Sequence, residues 1–277
     1  MGILVTGADG LIGATLVKQL KSLNFDVKGY SKQELDVTSF LNCQDVIFKD
    51  IPDLIIHCAA IISADASELN PEKTHLINVK GTENIAFCCR FVNIPLFYFS
   101  SCAVFDGYKN TPYVTSDKTN PIYAYGRSKV EAENIVRELD NFYILRSSCV
   151  YGKIRPDFIT LTIDKFRNEK KPDFPIVDQI INIIEVNVLC KIALNLIFNK
   201  RYGLHHCGTR GEASRKEIVL FIAELFNKTE FTFSEFKLSD VLRPKYSVLD
   251  LNEIQKLINY PIPHWKDALK KFVEDYA

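Results

Sequence analysis

The sequence opens with Met1-Gly-Ile-Leu-Val-Thr-Gly-Ala-Asp-Gly-Leu-Ile-Gly13, and this segment predicts the fold. The apolar run of residues 3–5 is typical of a short parallel strand that is covered on both faces. Glycine then recurs at every third position, at Gly7, Gly10 and Gly13, and residues 11–23 have the pattern of an amphipathic helix. A strand, a glycine turn and a helix in this order predict a dinucleotide-binding unit.

Each of the three glycines has its own predicted task. Gly7 lets the chain turn sharply off the strand, Gly10 lets the backbone approach a diphosphate, and Gly13 lets the helix pack closely on the sheet. Backbone N–H groups and the positive end of the helix dipole add to the attraction for an anion. Glycines occur in loops for many reasons, so this prediction depends on the elements that follow.

Composition excludes several classes of protein. At 277 residues the chain can form one large domain or two closely joined ones. Lys plus Arg and Asp plus Glu both number 34, so no overall field attracts nucleic acid or an anionic membrane. The longest apolar run, residues 54–62, is too short to span a bilayer, and no signal peptide is recognisable. The eight cysteines show neither the spacing of a disulfide framework nor a C-x-x-C pair, which indicates reduced thiols. We therefore expect a cytoplasmic protein.

Strand and helix patterns alternate through the first half of the chain. A short strand is expected near residues 174–177. Strands are also expected at residues 3–5, 25–30, 54–58, 94–100 and 142–147, with helices between them, including residues 71–93 and 121–140. This alternation predicts an α/β fold with a Rossmann-type doubly wound parallel sheet. We assign residues 1–150 to an NAD(P)-binding domain and residues 151–277 to a smaller mixed α/β substrate domain. A helix near residues 185–199 is expected to return to the main sheet, and residues 202–207 to form a strand of the second half.

The end of the second strand bears on the choice of cofactor. A carboxylate there would bind the adenosine ribose of NAD, whereas a hydroxyl and a cation suit the 2′-phosphate of NADP. The sequence has Ser31 and Lys32, and no acid occurs until Glu34. We therefore favour NADP(H) over NAD(H), with a merely solvated Lys32 as the alternative.

Tyr125-Gly-Arg-Ser-Lys129 is the sharpest catalytic motif. A separation of four residues places Tyr125 and Lys129 on one face of a helix. A nearby ammonium favours the phenolate, so we expect the pKa of Tyr125 to fall towards the range useful for acid–base catalysis. Ser101, at the end of the fourth strand, can hydrogen-bond the oxygen that Tyr125 protonates. An exposed helical pair without function is the alternative, but the order of the three motifs argues against it.

Two further groups of residues invite a binding role. His205-His206-Cys207 resembles a metal cluster, but neighbouring strand residues point to opposite faces, so we predict no metal site. Arg243-Pro244, with Lys245 nearby, is a candidate clamp for a nucleotide diphosphate. A solvated loop is the alternative for this basic segment.

With these motifs in view, the whole chain resembles the dTDP-4-dehydrorhamnose reductase family of extended short-chain dehydrogenases/reductases. The resemblance rests on Thr6-Gly-Ala-x-Gly-x-Ile-Gly13, Val104-Phe-Asp-Gly107, Tyr125-Gly-x-x-Lys129, Arg146-Ser-Ser148 with Val150-Tyr-Gly152, Val177-Asp-Gln179 and Arg243-Pro-x-x-Ser247. It implies NADP(H)-dependent reduction of the C4 keto group of a 4-keto-6-deoxy nucleotide sugar in deoxysugar biosynthesis. It also implies that Ser101, Tyr125 and Lys129 are the catalytic residues.

The resemblance and the motifs together give the expected binding residues. The cofactor-binding residues are Gly7, Asp9, Gly10, Leu11, Ile12, Gly13, Ser31, Lys32, Asp36, Val37, Cys58, Ala59, Ala60, Tyr125, Lys129 and Ser148. The substrate-binding residues are Ser101, Cys102, Cys149 and Arg243. We expect a nucleotide sugar as partner, neither nucleic acid nor membrane, and leave a homodimer open.

Departures from the family pattern keep two alternatives open. The chain has Ser100-Ser-Cys-Ala-Val-Phe105 where family members have S-T-D-Y-V-F, and Cys149 where an aromatic residue often contacts the sugar. The segment that follows Ser100 also resembles that of nucleotide-sugar epimerases, which keep NAD bound. A non-catalytic NADP-binding regulatory subunit, like that of methionine adenosyltransferase, is the second alternative.

Overall fold

Six parallel strands form the central sheet of the computed structural model, which describes residues 1–176, 178–235 and 242–276. Val177, part of one motif above and of a strand expected near residues 174–177, lies outside the described residues. In chain order the strands are β1 Gly2–Thr6, β2 Asp26–Tyr30, β3 Leu54–His57, β4 Leu96–Ser101, β5 Phe142–Ser147, β6 Cys149–Tyr151, β7 Asp173–Ile176, β8 Ile180–Ile181, β9 Ile183–Glu185, β10 Gly203–Cys207, β11 Ala213–Ser214 and β12 Thr232–Glu235.

Helices cover both faces of this sheet. They are α1 Leu11–Ser22, α2 Phe40–Asp50, α3 Ala64–Leu69, α4 Pro71–His75, α5 Gly81–Val92, α6 Ala124–Val136, α7 Phe158–Asn168, α8 Val186–Phe198, α9 Arg215–Leu225, α10 Asn252–Leu257 and α11 Trp265–Asp275. None of the helices within the described residues is both long and apolar enough to cross a membrane.

The strand order β2-β1-β3-β4-β5-β10 is that of a doubly wound Rossmann-type sheet, as predicted. The order reverses between β1 and β3, and ligands of such sheets bind outside the carboxyl ends of the strands at this point. Thr6 lies in register with both Tyr30 and His57, and Ser101 with Ser147. The carboxyl ends therefore form one continuous edge on which the site can be built.

Alternate residues of the first strand feed two separate cores. Ile3 and Val5 pack in a cluster with residues of α1 and α8, whereas Leu4 packs in a cluster with residues of α2, α5 and α6. This explains why the strand is an unbroken apolar run, since both of its faces are buried.

The second half of the chain contributes to the main sheet and also has a core of its own. Helix α8 packs on the first face, as expected for residues 185–199, and β10 becomes the edge strand beside β5. A third cluster joins residues of α7, α9 and α11. The division at residue 150 stays a prediction.

The helical region before β4 is more broken than the single helix expected over residues 71–93. It consists of α3, α4, a π-helical turn Leu76–Lys80 and α5. The side chains of Ser63 and Asn70 accept hydrogen bonds from Ala66 N and Lys73 N, and each cap starts a new helix. Helix α6 is also shorter than the range 121–140 that we expected.

Candidate active site

The glycine turn after β1 has the geometry that its spacing predicted. Gly7 has a φ of +61°, and a Cβ there would lie 2.8 Å from the backbone nitrogen of Ala59. A Cβ on Gly13 would collide with the carbonyl oxygen of Gly7. Gly10 is the N-cap of α1 and has no side chain that could cap the helix. The backbone N–H groups of the first turn of α1 are therefore left without a side-chain partner. The turn therefore fits a diphosphate group.

A cleft opens above this turn, at the reversal point of the sheet. Its lining residues are Gly7, Asp9, Gly10, Lys32, Leu35, Asp36, Val37, Thr38, Cys58, Ala59, Ala60, Ile61, Ile77 and Arg155. The small residues of the lining leave room for a flat ligand against the backbone. The shape and chemistry of the cleft thus fit a dinucleotide.

The sequence-based cofactor set overlaps this lining only in part. Leu11, Ile12 and Gly13 lie in the first turn of α1, while Ser31, Tyr125, Lys129 and Ser148 lie outside the cleft lining. The hydroxyl of Ser148 is buried and has no hydrogen-bond partner within the described ranges. Sequence reasoning missed the remaining lining residues, Leu35, Thr38, Ile61, Ile77 and Arg155.

The segment after β2 presents a cation to the cleft, and its carboxylates accept hydrogen bonds from their own neighbours. The backbone nitrogen and hydroxyl of Ser31 both donate to Oε2 of Glu34, at 2.9 and 2.7 Å. The carboxylate of Asp36 accepts from the hydroxyl and backbone nitrogen of Thr38, and the hydroxyl bond in particular holds its pKa below the usual range. Lys32 is left to line the cleft.

A buried histidine fixes the strand end that borders the cleft. Oγ1 of Thr6 accepts from the backbone nitrogens of Cys58 and Ala59, at 3.1 and 3.2 Å. Its own proton is then available for Nδ1 of His57, 2.7 Å away, and Nε2 of His57 lies 3.2 Å from Oγ1 of Thr82. Burial lowers the pKa of His57 to about 3, so the ring is neutral.

Tyr125 and Lys129 lie together, as the motif predicted. The Nζ atom of Lys129 is 5.8 Å from the centre of the Tyr125 ring. It is almost fully buried and donates to the carbonyl oxygen of Phe99 at 2.8 Å. Ser101 stands at the end of β4, where its hydroxyl accepts from the backbone nitrogen of Ala103 at 3.2 Å.

The expected lowering of the Tyr125 pKa is wrong for this structure. Burial raises the pKa of the phenol above its ordinary value, and interaction with the Ser101 hydroxyl offsets only part of this. Burial also lowers the pKa of Lys129 to about 8, against the opposing effect of Glu133. Desolvation therefore dominates, and the ammonium of Lys129 donates to the carbonyl oxygen of Phe99 rather than to the phenol. At neutral pH Tyr125 is therefore protonated and Lys129 is mostly charged.

A buried ion pair anchors the helix that carries both residues. Arg146 donates to Glu133 through Nη2 at 2.6 Å and Nε at 2.8 Å, and the Ser100 hydroxyl donates to the same carboxylate at 2.5 Å. Both charged side chains are only 2% exposed. The pair fastens α6 to β4 and β5. In the sequence, the proximity of Glu133 to Lys129 is indicated only by their separation of four residues.

Asn78 connects the cleft to the same helix. Its amide exchanges two hydrogen bonds with the backbone of Ile61, at 2.8 and 2.9 Å, and also donates to the Ser128 hydroxyl at 3.0 Å. Ser128 in turn donates to the carbonyl oxygen of Tyr125 at 2.8 Å. The cleft wall and the tyrosine are thereby held in one network.

Besides Ser101, the residues expected to bind the substrate are Cys102, Cys149 and Arg243. Burial raises the pKa of Cys102 to about 11 and also raises that of Cys149, so neither thiol is ionised at neutral pH. Nη2 of Arg243 donates to both carboxylate oxygens of Asp65, at 3.3 and 3.1 Å. Lys245, by contrast, is largely exposed.

The histidines on β10 point away from each other. Nε2 of His205 lies 2.9 Å from the carbonyl oxygen of Arg201, whereas Nδ1 of His206 lies 3.0 Å from that of Tyr113. In the part of the chain that the structure describes, no three His, Cys, Asp or Glu side chains are grouped to hold a metal ion.

Comparisons with known proteins agree on one family. A family model described as the RmlD substrate binding domain matches residues 1–277. The chain is 30% identical over 272 residues to the dTDP-4-keto-6-deoxy-D-glucose reductase of Streptomyces niveus, with 96% of this chain and 94% of that protein covered.

Solved structures give the same result. A dTDP-4-dehydrorhamnose reductase from Clostridium acetobutylicum has a TM-score of 0.92 and 31% identity, with 99% of both chains covered. The Bacillus anthracis dTDP-4-dehydrorhamnose reductase in complex with NADP has a TM-score of 0.92 and 29% identity, with 99% of this chain and 100% of that chain covered. The chain therefore belongs to the dTDP-4-dehydrorhamnose reductase family, as its motifs predicted.

Proposed function

We propose that the protein is an NADPH-dependent reductase of the C4 keto group of a 4-keto-6-deoxy nucleotide sugar. The observation that carries this proposal is the pairing of a protonated Tyr125 with a buried Lys129 on α6, where Lys129 donates to the carbonyl oxygen of Phe99 on β4, a strand of the sheet that also carries the dinucleotide cleft. The Streptomyces niveus relative is named for a reductase of such a sugar.

The residues around the tyrosine suit proton donation to a carbonyl oxygen. A nicotinamide cofactor held in the cleft would supply the hydride. Tyr125, held in its protonated form by burial, gives a proton to the oxygen, and the Ser101 hydroxyl hydrogen-bonds the same atom. The charge of Lys129 stabilises the tyrosinate that remains. The Glu133–Arg146 pair keeps α6 in place so that these groups stay oriented.

We propose NADP(H) as the preferred cofactor, with NAD(H) as the alternative. Lys32 and Arg155 both line the cleft, whereas the nearest carboxylates at the end of β2 are occupied by Ser31 and Thr38. A ribose 2′-phosphate would therefore meet cations, whereas the carboxylates of Glu34 and Asp36 already accept hydrogen bonds from neighbouring residues of the chain. The NADP complex of the Bacillus anthracis relative supports the same choice. A cytoplasmic location and a homodimer stay predictions.

The test is NADPH oxidation with a panel of 4-keto-6-deoxy nucleotide sugars. We expect turnover by the wild type, and a loss of roughly a hundredfold or more in kcat for Tyr125→Phe. Tyr108→Phe, at a largely exposed tyrosine, is the control and should keep full activity. Wild-type turnover by Tyr125→Phe would refute the proposed acid. Bound NAD at one equivalent without NADPH consumption would indicate an epimerase instead.

A further inference from the structure

A second arginine, Arg215, is joined through Gln179 to the segment that carries Arg243, and it was not part of any motif. It is the first residue of α9, directly after the N-cap Ser214. Its Nε donates to Oε1 of Gln179 at 3.2 Å, and its backbone nitrogen donates to the carbonyl oxygen of Gln179 at 3.3 Å. The guanidinium group also lies 4.7 Å from the centre of the Phe158 ring. These contacts fix the direction in which the cation points.

Gln179 holds this arginine next to the one that the sequence had singled out. Its Nε2 donates to the carbonyl oxygen of Pro244 at 3.1 Å, and Pro244 directly follows Arg243. Burial lowers the pKa of Arg215, and the charge of Arg243 lowers it further, whereas Cys149 acts in the opposite direction. Gln179 therefore joins Arg215 to the segment that carries Arg243, and the two cations act on each other electrostatically.

Arg243 is also linked to the start of the helix that carries the proposed acid, because its partner Asp65 lies on α3 and Glu68 of α3 accepts a hydrogen bond from the backbone nitrogen of Ala124. The charge of Arg243 acts on Tyr123, whose ring centre lies 6.2 Å from that of Tyr125. A ligand that contacts both cations can thus extend to the catalytic tyrosine.

Two like charges in a partly buried place are unfavourable unless an anion joins them. Arg243 is already paired with Asp65. For Arg215, no carboxylate within the ranges 1–176, 178–235 and 242–276 lies within 4 Å. A diphosphate that links a nucleoside to a sugar carries one negative charge on each phosphate, which matches two cations. The planar fork of arginine suits phosphate oxygens better than a lysine would.

We propose that Arg215 and Arg243 together bind the diphosphate of the substrate, and that Arg215 makes the site prefer nucleoside diphosphates to monophosphates. This inference rests on the proposed function, because it assumes a nucleotide-linked substrate. It adds a binding residue that lies on a different element from the basic segment recognised in the sequence.

Calorimetric titration of the whole protein, saturated with NADP⁺, tests the proposal. The probes are dTDP, UDP and GDP, their monophosphates, and inorganic pyrophosphate. Arg215→Met should weaken binding of the preferred diphosphate by roughly ten- to a hundredfold, and that of its monophosphate by less than threefold. Lys216→Met removes the neighbouring cation, which is exposed, and should bind like the wild type.

The variants separate this inference from the proposed function. Arg215→Gln keeps a hydrogen-bonding group for Gln179, so it serves as the second charge-removing variant if Arg215→Met does not fold by circular dichroism. Diphosphate affinity equal to that of the wild type in either folded variant overturns the inference, even if the wild type reduces a nucleotide sugar. A third result is that pyrophosphate binds in a way that depends on Arg215 while no nucleoside diphosphate binds. This result would show that Arg215 forms an anion site, and it would overturn the proposed nucleotide-sugar function.

Discussion

The buried pair of Glu133 and Arg146 gives the sharpest prediction, through the substitution Glu133→Gln. The change keeps the shape of the side chain and an oxygen that can accept from the Ser100 hydroxyl, now 2.5 Å from the carboxylate. It removes the negative charge that compensates a guanidinium group only 2% exposed. Breaking a buried pair from one side costs about 3–5 kcal/mol, because the other charge stays buried. We expect a loss of this size in the free energy of unfolding.

The same substitution should change catalysis in a way that simple destabilisation would not. Glu133 raises the pKa of Lys129, which burial has already lowered to about 8. Without the carboxylate this pKa falls further, so Lys129 loses its proton at a lower pH. We expect the descending limb of kcat against pH to move to lower pH in Glu133→Gln, since the charged lysine is the form that stabilises the tyrosinate.

Urea unfolding and a pH profile of NADPH oxidation measure the two effects. Glu138→Gln is the matched control, because its carboxylate forms an exposed pair with Arg90 at 3.0 Å and such pairs contribute about 0–1 kcal/mol. The double variant Glu133→Gln with Arg146→Met should regain part of the lost stability, because it also removes the buried guanidinium group that Glu133→Gln leaves unpaired. A large loss of stability with an unchanged pH profile would refute the link between Glu133 and Lys129.

Two further predictions concern the cofactor cleft. Gly13→Ala should weaken NADPH binding by at least tenfold in a fluorescence titration, because its Cβ would collide with the carbonyl oxygen of Gly7. The control is Gly2→Ala, where a Cβ meets only ordinary contacts, and this variant should bind NADPH like the wild type. Lys32→Ala should weaken binding of NADPH about tenfold and that of NADH little, while the exposed Lys21→Ala should affect neither. An equal loss for both cofactors would place Lys32 away from the 2′-phosphate.

Local spacing explains which parts of the site the sequence could predict. The glycine turn and the Tyr125–Lys129 pair lie within one turn or one helix, so residue separation alone sets their geometry. The strand pattern of residues 202–207 was also recognisable. Its place beside β5 was not, because it depends on how α8 packs across the sheet.

Contacts between distant elements explain most of what the sequence did not reveal. Arg146 on β5 meets Glu133 on α6, and Arg215 on α9 meets Gln179 in the segment before β8. No periodicity links such positions. The error on the pKa of Tyr125 has the same origin, since the sequence displays the neighbouring ammonium but not the burial that outweighs it.

The distribution of charge connects the cofactor and substrate sites. Basic and acidic residues are equal in number, at 34 each, so the whole protein exerts no net attraction on an anion. Cations nevertheless follow the carboxyl edge of the sheet, with Lys32 and Arg155 in the cleft, Lys129 beside the tyrosine, and Arg215 near Arg243. We expect the phosphates of a dinucleotide and of a nucleotide sugar to lie at the two ends of this row, with the reacting atoms between them. We therefore expect charge-removing substitutions at either end to weaken binding of one ligand only, whereas loss of the Lys129 charge should lower kcat.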